Sequence, residues 1–427
     1  MVFDLAATWL RLQREQWLDQ TELAVRQQRR LQRLLARAHR DVPFYRRAFT
    51  DRGLTPADVA RVADLVKLPL LTKAALQRAG ADDLRARGAS GRLVTRETSG
   101  STGRPLSVVR SRREDLLSGL LLLRAYLANG VRPWHRQAVL FDQRRLPRPG
   151  TALDWLRRRR RVYLWSGQPV AEQLEALERH RPHVLRGFSQ SLVLLARAIE
   201  RAGPRAVRPR LVLGTAEQLD RPARDAIERA LDVRMVDLYS TEEAGPIAWE
   251  CPERRGYHLN SDRLVVEVVR GDGRPCRPGE RGRVVVTPLF LHTMPLIRYD
   301  LGDVACPPLP ERCPCGRTLP LLPQIQGRAD DFVTLRSGTV VAPVGTFDGV
   351  LHREPSVLEY LVVQEDYDHV RVEVVARAPA DPGMRERVRA GLAELLGHEA
   401  EVTVEIVPRV ARGGKLRRVQ SRVPLSL

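Results

Sequence analysis

The strongest constraint on the fold is a run of alternating segments between residues 138 and 239. Short apolar stretches read as strands: Ala138 to Phe141, Val162 to Trp165, Val184 to Phe188, Leu211 to Leu213 and Arg234 to Tyr239. Between them, Ala171 to His180, Ser191 to Ala202 and Arg221 to Ala230 carry the apolar spacing of helices. Strands separated by helical segments call for an α/β architecture with largely parallel sheets. Upstream, the first forty residues read as helix, with Asp41-Val42-Pro43-Phe44-Tyr45 as a break. Thr55 and Thr72 are expected N-caps of two further helices, and Arg113 to Asn129 is another helical stretch. From Leu264 the pattern changes to strands joined by Gly/Pro turns, Leu264 to Val269 and Arg283 to Thr287, which suggests a β-rich subdomain. After a second break at Gln326 to Asp331, the last ~100 residues alternate strand, helix and strand, enough for a small α+β domain. The expected division is a large domain over residues 1–329 and a small one over 330–427.

Following the strand-like Arg92-Leu93-Val94 comes Thr98-Ser99-Gly100-Ser101-Thr102-Gly103-Arg104-Pro105. Four hydroxyl side chains and two glycines fall within the seven residues from Thr98 to Arg104. Gly100 and Gly103 can adopt φ > 0, so the N–H groups and hydroxyls can all turn toward one anion, as in phosphate-cradling loops. No Gly-Lys-Ser/Thr follows, so this is not a Walker loop. An ordinary Ser/Gly turn is the competing reading.

The formal charge of +20 invites a nucleic-acid reading, but it is spread along the chain and is nearly all arginine; Lys67, Lys73 and Lys415 are the three lysines. The one dense run, Arg157 to Arg161, has no recognised nucleic-acid motif around it. Where arginine serves for a plain positive charge, a surviving lysine marks a place needing a compact ammonium, which draws attention to Lys415 and Lys73. Met1 to Gln20 is punctuated by Asp4, Arg11, Arg14, Glu15 and Asp19, so neither a signal peptide nor a membrane span is expected, and the cytoplasm is the default location.

Other constellations carry chemistry. Asp237-Leu238-Tyr239-Ser240-Thr241-Glu242-Glu243-Ala244-Gly245 ends a strand, where ligands of open parallel sheets bind. A carboxylate there can hold Mg²⁺ against a triphosphate, and an aromatic ring can stack on a purine. Leu211-Val212-Leu213-Gly214-Thr215-Ala216-Glu217 is a second strand-then-small-residue loop that a flat base can approach. In Arg298-Tyr299-Asp300-Leu301-Gly302-Asp303, the terminal carboxylate can accept two ribose hydroxyls. Cys313-x-Cys315 in a Pro/Gly turn, with Cys251-x₆-His258, makes a Cys₃His set suited to structural zinc; four unrelated residues are the competing reading. Cys306 is a substitute ligand in that scheme and Cys276 is incidental.

The loop at Thr98 to Pro105 closely resembles the phosphate-binding signature of the adenylate-forming enzymes, and the rest of the chain resembles their short branch similar to phenylacetate–CoA ligase. The resemblance runs from about Val42 to Lys415, with motifs in the expected order. It implies a large N-terminal domain that binds ATP and acid, and a mobile C-terminal domain hinged at Asp330. It implies that Thr98, Ser99, Gly100, Ser101, Thr102 and Gly103 hold phosphates, with Thr98 and Thr102 counted as catalytic. Gly214, Thr215, Ala216 and Glu217 would lie beside adenine and the acyl group, with Tyr239, Ser240, Thr241 and Glu242 around the base. Glu243 would carry the metal, with Glu242 as the competing register, because Ser240 stands where the family usually has Gly. Asp303 would hold the ribose, Arg328 would make the second nucleotide contact, and Lys415 would bridge carboxylate and leaving pyrophosphate. Phe141, Gly187, Phe188, Ala216 and Gly245 would line an acyl pocket. Similar Cys/His clusters in the branch favour zinc at Cys251, His258, Cys313 and Cys315. The implied reaction joins a carboxylic acid, aryl or arylacetic by family default, to CoA through an acyl-adenylate, using ATP and Mg²⁺. An amine or a carrier-protein thiol is the alternative acceptor, a homodimer fits the branch, and charge-driven nucleic-acid binding is the reading from another class.

Overall fold

The computed structural model describes residues 2–97, 106–141, 160–203, 207–215, 221–343, 346–351, 353–377, 381–410 and 418–425. The alternating run becomes an eight-stranded mixed sheet. Its order is Leu321–Leu322, Tyr257–Leu259, Gly245–Glu250, Met235–Thr241, Leu211–Thr215, Val184–Phe188, Gln137–Phe141 and Arg161–Trp165. The last five are mutually parallel; from Met235–Thr241 outward the pairing turns antiparallel.

Both faces of the parallel part are buried, which is why its strands read as near-continuous apolar runs. One face takes helices Val170–His180, Ser189–Ala202 and Arg221–Leu231, packing Leu174, Leu177, Leu192 and Ile227 against Leu140, Leu185, Val212 and Met235. The other takes helix Arg112–Ala128, whose Ala125 and Tyr126 meet Val184, Leu213, Val236 and Leu238. Ser111 caps that helix and Glu114 closes a capping box with it.

The N-terminal stretch is two helices, Val2–Glu15 and Gln20–Asp41, with the Asp19 carboxylate accepting from the Glu22 N–H at 2.9 Å to start the second. The expected break at Asp41 to Tyr45 is a one-residue joint: Val42 ends one helix and Pro43 opens the next, Pro43–Thr50. Thr55 starts only the 3₁₀ turn Pro56–Asp58, whereas Thr72 caps helix Lys73–Arg78 as expected. These helices share a core with a four-stranded antiparallel sheet, Leu264–Val269, Gly282–Pro288, Tyr299–Ala305 and Gly327–Arg328. Residues 333–419 contribute a separate core, in which Phe347, Leu351, Val388 and Leu392 pack on Val362 and Val372 of another four-stranded sheet. Among the described residues, no helix is long and apolar enough to cross a membrane.

A buried ionic cluster ties these layers together. Arg124, from helix Arg112–Ala128, donates to both carboxylate oxygens of Asp262 at 2.8 and 3.0 Å, and both side chains are fully buried. Arg124 also bonds the Leu12 carbonyl and Asn260. Buried Glu15 receives Arg26, Arg30 and Arg263. Removing one partner of such a pair strands the other's charge. Arg124→Met is therefore expected to lower unfolding stability by about 3–5 kcal/mol, read as a fall in the urea midpoint, with Arg124→Met/Asp262→Leu recovering part of the loss.

Candidate functional site

The C-terminal ends of the parallel strands open toward the strand Tyr299–Ala305, and the candidate side chains collect there. Thr98, Ser99, Gly100, Ser101, Thr102 and Gly103 lie outside the described residues, as do Ala216, Glu217, Lys415 and Arg157 to Arg159. What flanks the hydroxyl-rich loop is described: Leu93–Glu97 pairs antiparallel with Ser107–Ser111, and Glu97 faces Ser107 across the loop's base.

From that second strand, Arg110 turns inward on the same side as Val108 and is only 3% exposed. Its Nη2 donates to the carbonyls of Glu242 and Glu243 at 2.6 and 2.9 Å, and its Nη1 to Ser118 Oγ at 3.2 Å. Arg110 thus fastens the hairpin at the loop's base to the Thr-Glu-Glu turn, and its burial pulls the guanidinium pKa below its usual value. Gly245 closes the turn at φ +78°, where an added Cβ would come within 2.9 Å of Ser118 Oγ, so both backbone and space call for glycine. Thr241 Oγ1 accepts from the Ala244 N–H at 3.0 Å inside the same turn.

The two adjacent glutamates have different neighbours. Glu243 Oε1 accepts from the Tyr299 hydroxyl at 3.3 Å, and its charge also acts on Tyr239. Glu242 instead acts on Arg110. The Tyr239 hydroxyl donates to Asp303 Oδ2 at 2.6 Å, and Arg328 Nη1 donates to Asp303 Oδ1 at 3.1 Å and to the Leu301 carbonyl at 2.7 Å. Burial first, and the charge of Asp303 next, push the Tyr239 phenol far up, so it stays a donor. Arg328 packs over Gly302, at φ +72°, where a Cβ would stand 3.0 Å from Nη2. Asp330 follows in the turn Ala329–Asp331, on the stretch leading to the C-terminal core. On the neighbouring strand, Thr215 Oγ1 donates to the Leu238 carbonyl at 3.1 Å and lies 3.3 Å from Ser240 Oγ.

Phe141 and Phe188 meet at the ends of adjacent parallel strands, with ring centroids 4.9 Å apart. Gly187 and Gly214 face the other side of the sheet: a Cβ on Gly187 would meet the Leu140 carbonyl at 3.1 Å, and one on Gly214 the Met235 methyl at 2.2 Å. The two glycines therefore serve close packing under helix Ser189–Ala202.

Set apart from these residues, Cys251, His258, Cys313 and Cys315 place their ligand atoms within 4.8 Å of one another. Cys251 Sγ and Cys313 Sγ are 3.5 Å apart, and Cys315 Sγ is 3.3 Å from His258 Nε2. A tetrahedral zinc with ~2.3 Å sulfur bonds has edges of about 3.7 Å, so the donor set fits. Burial pushes the Cys251 thiol up to about 12 and the His258 imidazole down to about 4. Cys306 lies elsewhere, against the Gly279 carbonyl and Gln326.

Reading the sequence missed Arg110, Ser118 and Tyr299. Arg110 carried a signal, a charged residue in the apolar phase of Ser107-Val108-Val109-Arg110. Tyr299 lay in the Arg298 to Asp303 stretch without a role of its own and Ser118 carried no signal; only folding brings them to the turn.

No protein-family model matches the chain. Against solved structures, it superimposes on 2-hydroxyisobutyryl-CoA ligase in the postadenylation state with 2-HIB-AMP at a TM-score of 0.79, with 23% identity, covering 96% of this chain and 91% of that one. An open conformation of that enzyme with 2-HIB-AMP and CoA gives 0.67, with 24% identity and coverage of 95% and 93%. The fold is that of the adenylate-forming CoA ligases. In sequence the chain is similar to phenylacetate-coenzyme A ligases: that of Thermus thermophilus is 28% identical over 439 residues, 94% of this chain and 97% of the relative. The Escherichia coli enzyme of the same name is 28% identical over 370 residues, 84% and 81% of the two chains.

The grip of Arg110 on the turn can be checked directly. Arg110→Met should leave two buried carbonyls without their donor and lower stability by about 1–3 kcal/mol, seen as a drop in thermal midpoint that Arg110→Lys only partly recovers.

Proposed function

We propose that this chain is an AMP-forming acid–CoA ligase. The observation that carries the reading is the convergence, at the C-terminal ends of a parallel sheet, of Tyr239 and Arg328 on Asp303, with Glu243 alongside on Tyr299. In the first step a carboxylate oxygen of the acid attacks the α-phosphorus of ATP, and the bond to the bridging oxygen of pyrophosphate breaks. In the second, the CoA sulfur bonds to the acyl carbon, the acyl–oxygen bond to AMP breaks, and the thiol proton passes to solvent.

The residues would act mainly by position and charge. Thr98, Ser99, Gly100, Ser101, Thr102 and Gly103 hold the phosphates from the loop that the hairpin closes. Asp303 accepts the ribose hydroxyls, with Arg328 keeping it oriented. Tyr239, Ser240, Thr241, Glu242 and the segment Thr215, Ala216 and Glu217 frame the adenine, with Gly214 seating that strand on its helix. Glu243 suits Mg²⁺, since its carboxylate faces the site beside the Tyr299 phenol, which donates to it; the ion would neutralise charge on the triphosphate. Phe141, Phe188, Ala216 and Gly245 border the acid. The segment 330–427 is the small domain, swinging about Asp330 and bringing Lys415 to the carboxylate and leaving pyrophosphate.

The test is pyrophosphate release from Mg·ATP with aryl, arylacetic and aliphatic acids, with and without CoA. Acid-dependent release that becomes catalytic with CoA is expected; release that stalls near one turnover in both cases would make the acceptor an amine or a carrier-protein thiol. Lys415→Ala should cut adenylation about 100-fold or more and spare acyl transfer from a supplied adenylate to CoA; equal loss of both steps would remove Lys415 from that role.

The same reading includes a structural zinc on Cys251, His258, Cys313 and Cys315, pinning the strand Tyr257–Leu259 to the turn at residues 313–316. Elemental analysis should find one zinc per chain, lost in Cys313→Ser, and chelation should lower the thermal midpoint. A metal-free wild type with an unchanged midpoint under chelator would exclude it.

A further inference from the structure

One cation near the aromatic pair has no role in the chemistry above. Arg186 lies two residues before Phe188 on the same strand and on the same side of the sheet. Its Cζ sits 4.7 Å from the centroid of Phe141 and 5.7 Å from that of Tyr126. Tyr126 reaches this point from helix Arg112–Ala128 and is only 8% exposed. Arg186 Nε is shielded from solvent and has no hydrogen-bond partner among the described residues, and the Arg186 guanidinium acts directly on the buried Tyr126 hydroxyl beside it. No carboxylate among the described residues forms an ion pair with Arg186. Other buried arginines are matched: Arg124, Arg263 and Arg298 each sit on a carboxylate, and Arg110 bonds two carbonyls and a hydroxyl.

A half-buried guanidinium stacked on a ring, with a buried phenol beside it and no carboxylate partner among the described residues, is suited to take an anion from a ligand. Its depth says what that could be. Strands rise ~3.3 Å per residue, so Arg186 stands about 7 Å below Phe188, roughly the length of an aryl ring and one substituent. Helix Arg112–Ala128 spans the same depth: its Ser118 touches the Glu-Glu turn through Arg110, and Tyr126 lies two turns further along.

We propose that Arg186 and Tyr126 form the selective floor of the acyl pocket, so that the acid activated carries a second anionic oxygen group, a carboxylate, at the end away from the reacting one. Phe141 and Phe188 would hold the apolar middle of that diacid. The inference rests on the ligase reading and narrows its substrate class.

It is tested with matched acids in the pyrophosphate-release assay on the full chain with Mg·ATP: 4-carboxyphenylacetate against phenylacetate, and glutarate against butyrate. The wild type should favour the diacid of at least one pair by about 100-fold or more in kcat/KM, because a site built for a charged group rejects the analogue lacking it. Arg186→Leu should bring that ratio to parity or invert it while leaving the KM for ATP unchanged, and Tyr126→Phe should reduce it by about tenfold. A wild type that favours the monoacids, or a diacid preference that survives Arg186→Leu, overturns the inference and leaves the ligase standing. The wild-type ratio decides even if Arg186→Leu folds poorly, which its thermal midpoint would reveal. No release with any acid, across these pairs and the wider panel, would bring down the ligase reading and the inference together.

Discussion

Parallel strands with helices on both faces turn their polar chemistry to the edge where their C-terminal ends stop. Helices cover Leu140, Leu185, Val212 and Met235 on one side and Val184, Leu213 and Leu238 on the other. Their backbone groups are satisfied along the ladder, and only at the strand ends do groups become free to turn toward a ligand. Thr215, Ser240, Thr241 and the Glu242-Glu243 turn all sit there because the ladder ends there. The antiparallel sheet behind Tyr299 and Asp303 supplies the opposite wall.

The arginines divide by what surrounds them. Arg124 is matched by Asp262 and joins the N-terminal helices to the rest of the core. Arg110 is spent on two carbonyls and a hydroxyl, so its charge strengthens hydrogen bonds that orient a turn without neutralising the nearby acids. Arg328 is shared between the Leu301 carbonyl and Asp303, which keeps that carboxylate aligned with the Tyr239 phenol. The same residue type therefore performs structural and site-building roles, set by whether a carboxylate, a carbonyl or a ring is its neighbour.

Much of this was legible beforehand. Elements from Gln137 to Thr241 lie within two residues of their expected limits, because apolar runs and helical periodicity there agree with the burial they produce. Tyr239 and Glu243 were singled out at a strand end and Asp303 after a glycine turn, and the fold brings them together; it likewise gathers Cys251, His258, Cys313 and Cys315. The misjudged details were local: the helix expected after Thr55 is a 3₁₀ turn, and Gly187, expected in the acyl pocket, faces Leu140 and Leu192. A glycine has no side chain to announce a face, so strand phase alone had to decide it.

The chain by itself determined the alternation of strands and helices, the hydroxyl-rich loop, and the Glu242-Glu243 pair at the end of a strand, since these depend on short-range pattern. Contacts across long sequence separations were decided only by tertiary structure. Arg110 meeting residues 242 and 243, Tyr239 meeting Asp303, and Cys315 meeting His258 join positions 57 to 133 residues apart. So does the choice of Glu243 over Glu242 toward Tyr299, because adjacent residues of a turn have the same composition and only the packed neighbour separates them. Periodicity reports which face of an element is apolar; it carries no information about which distant side chain will occupy the space that face leaves open.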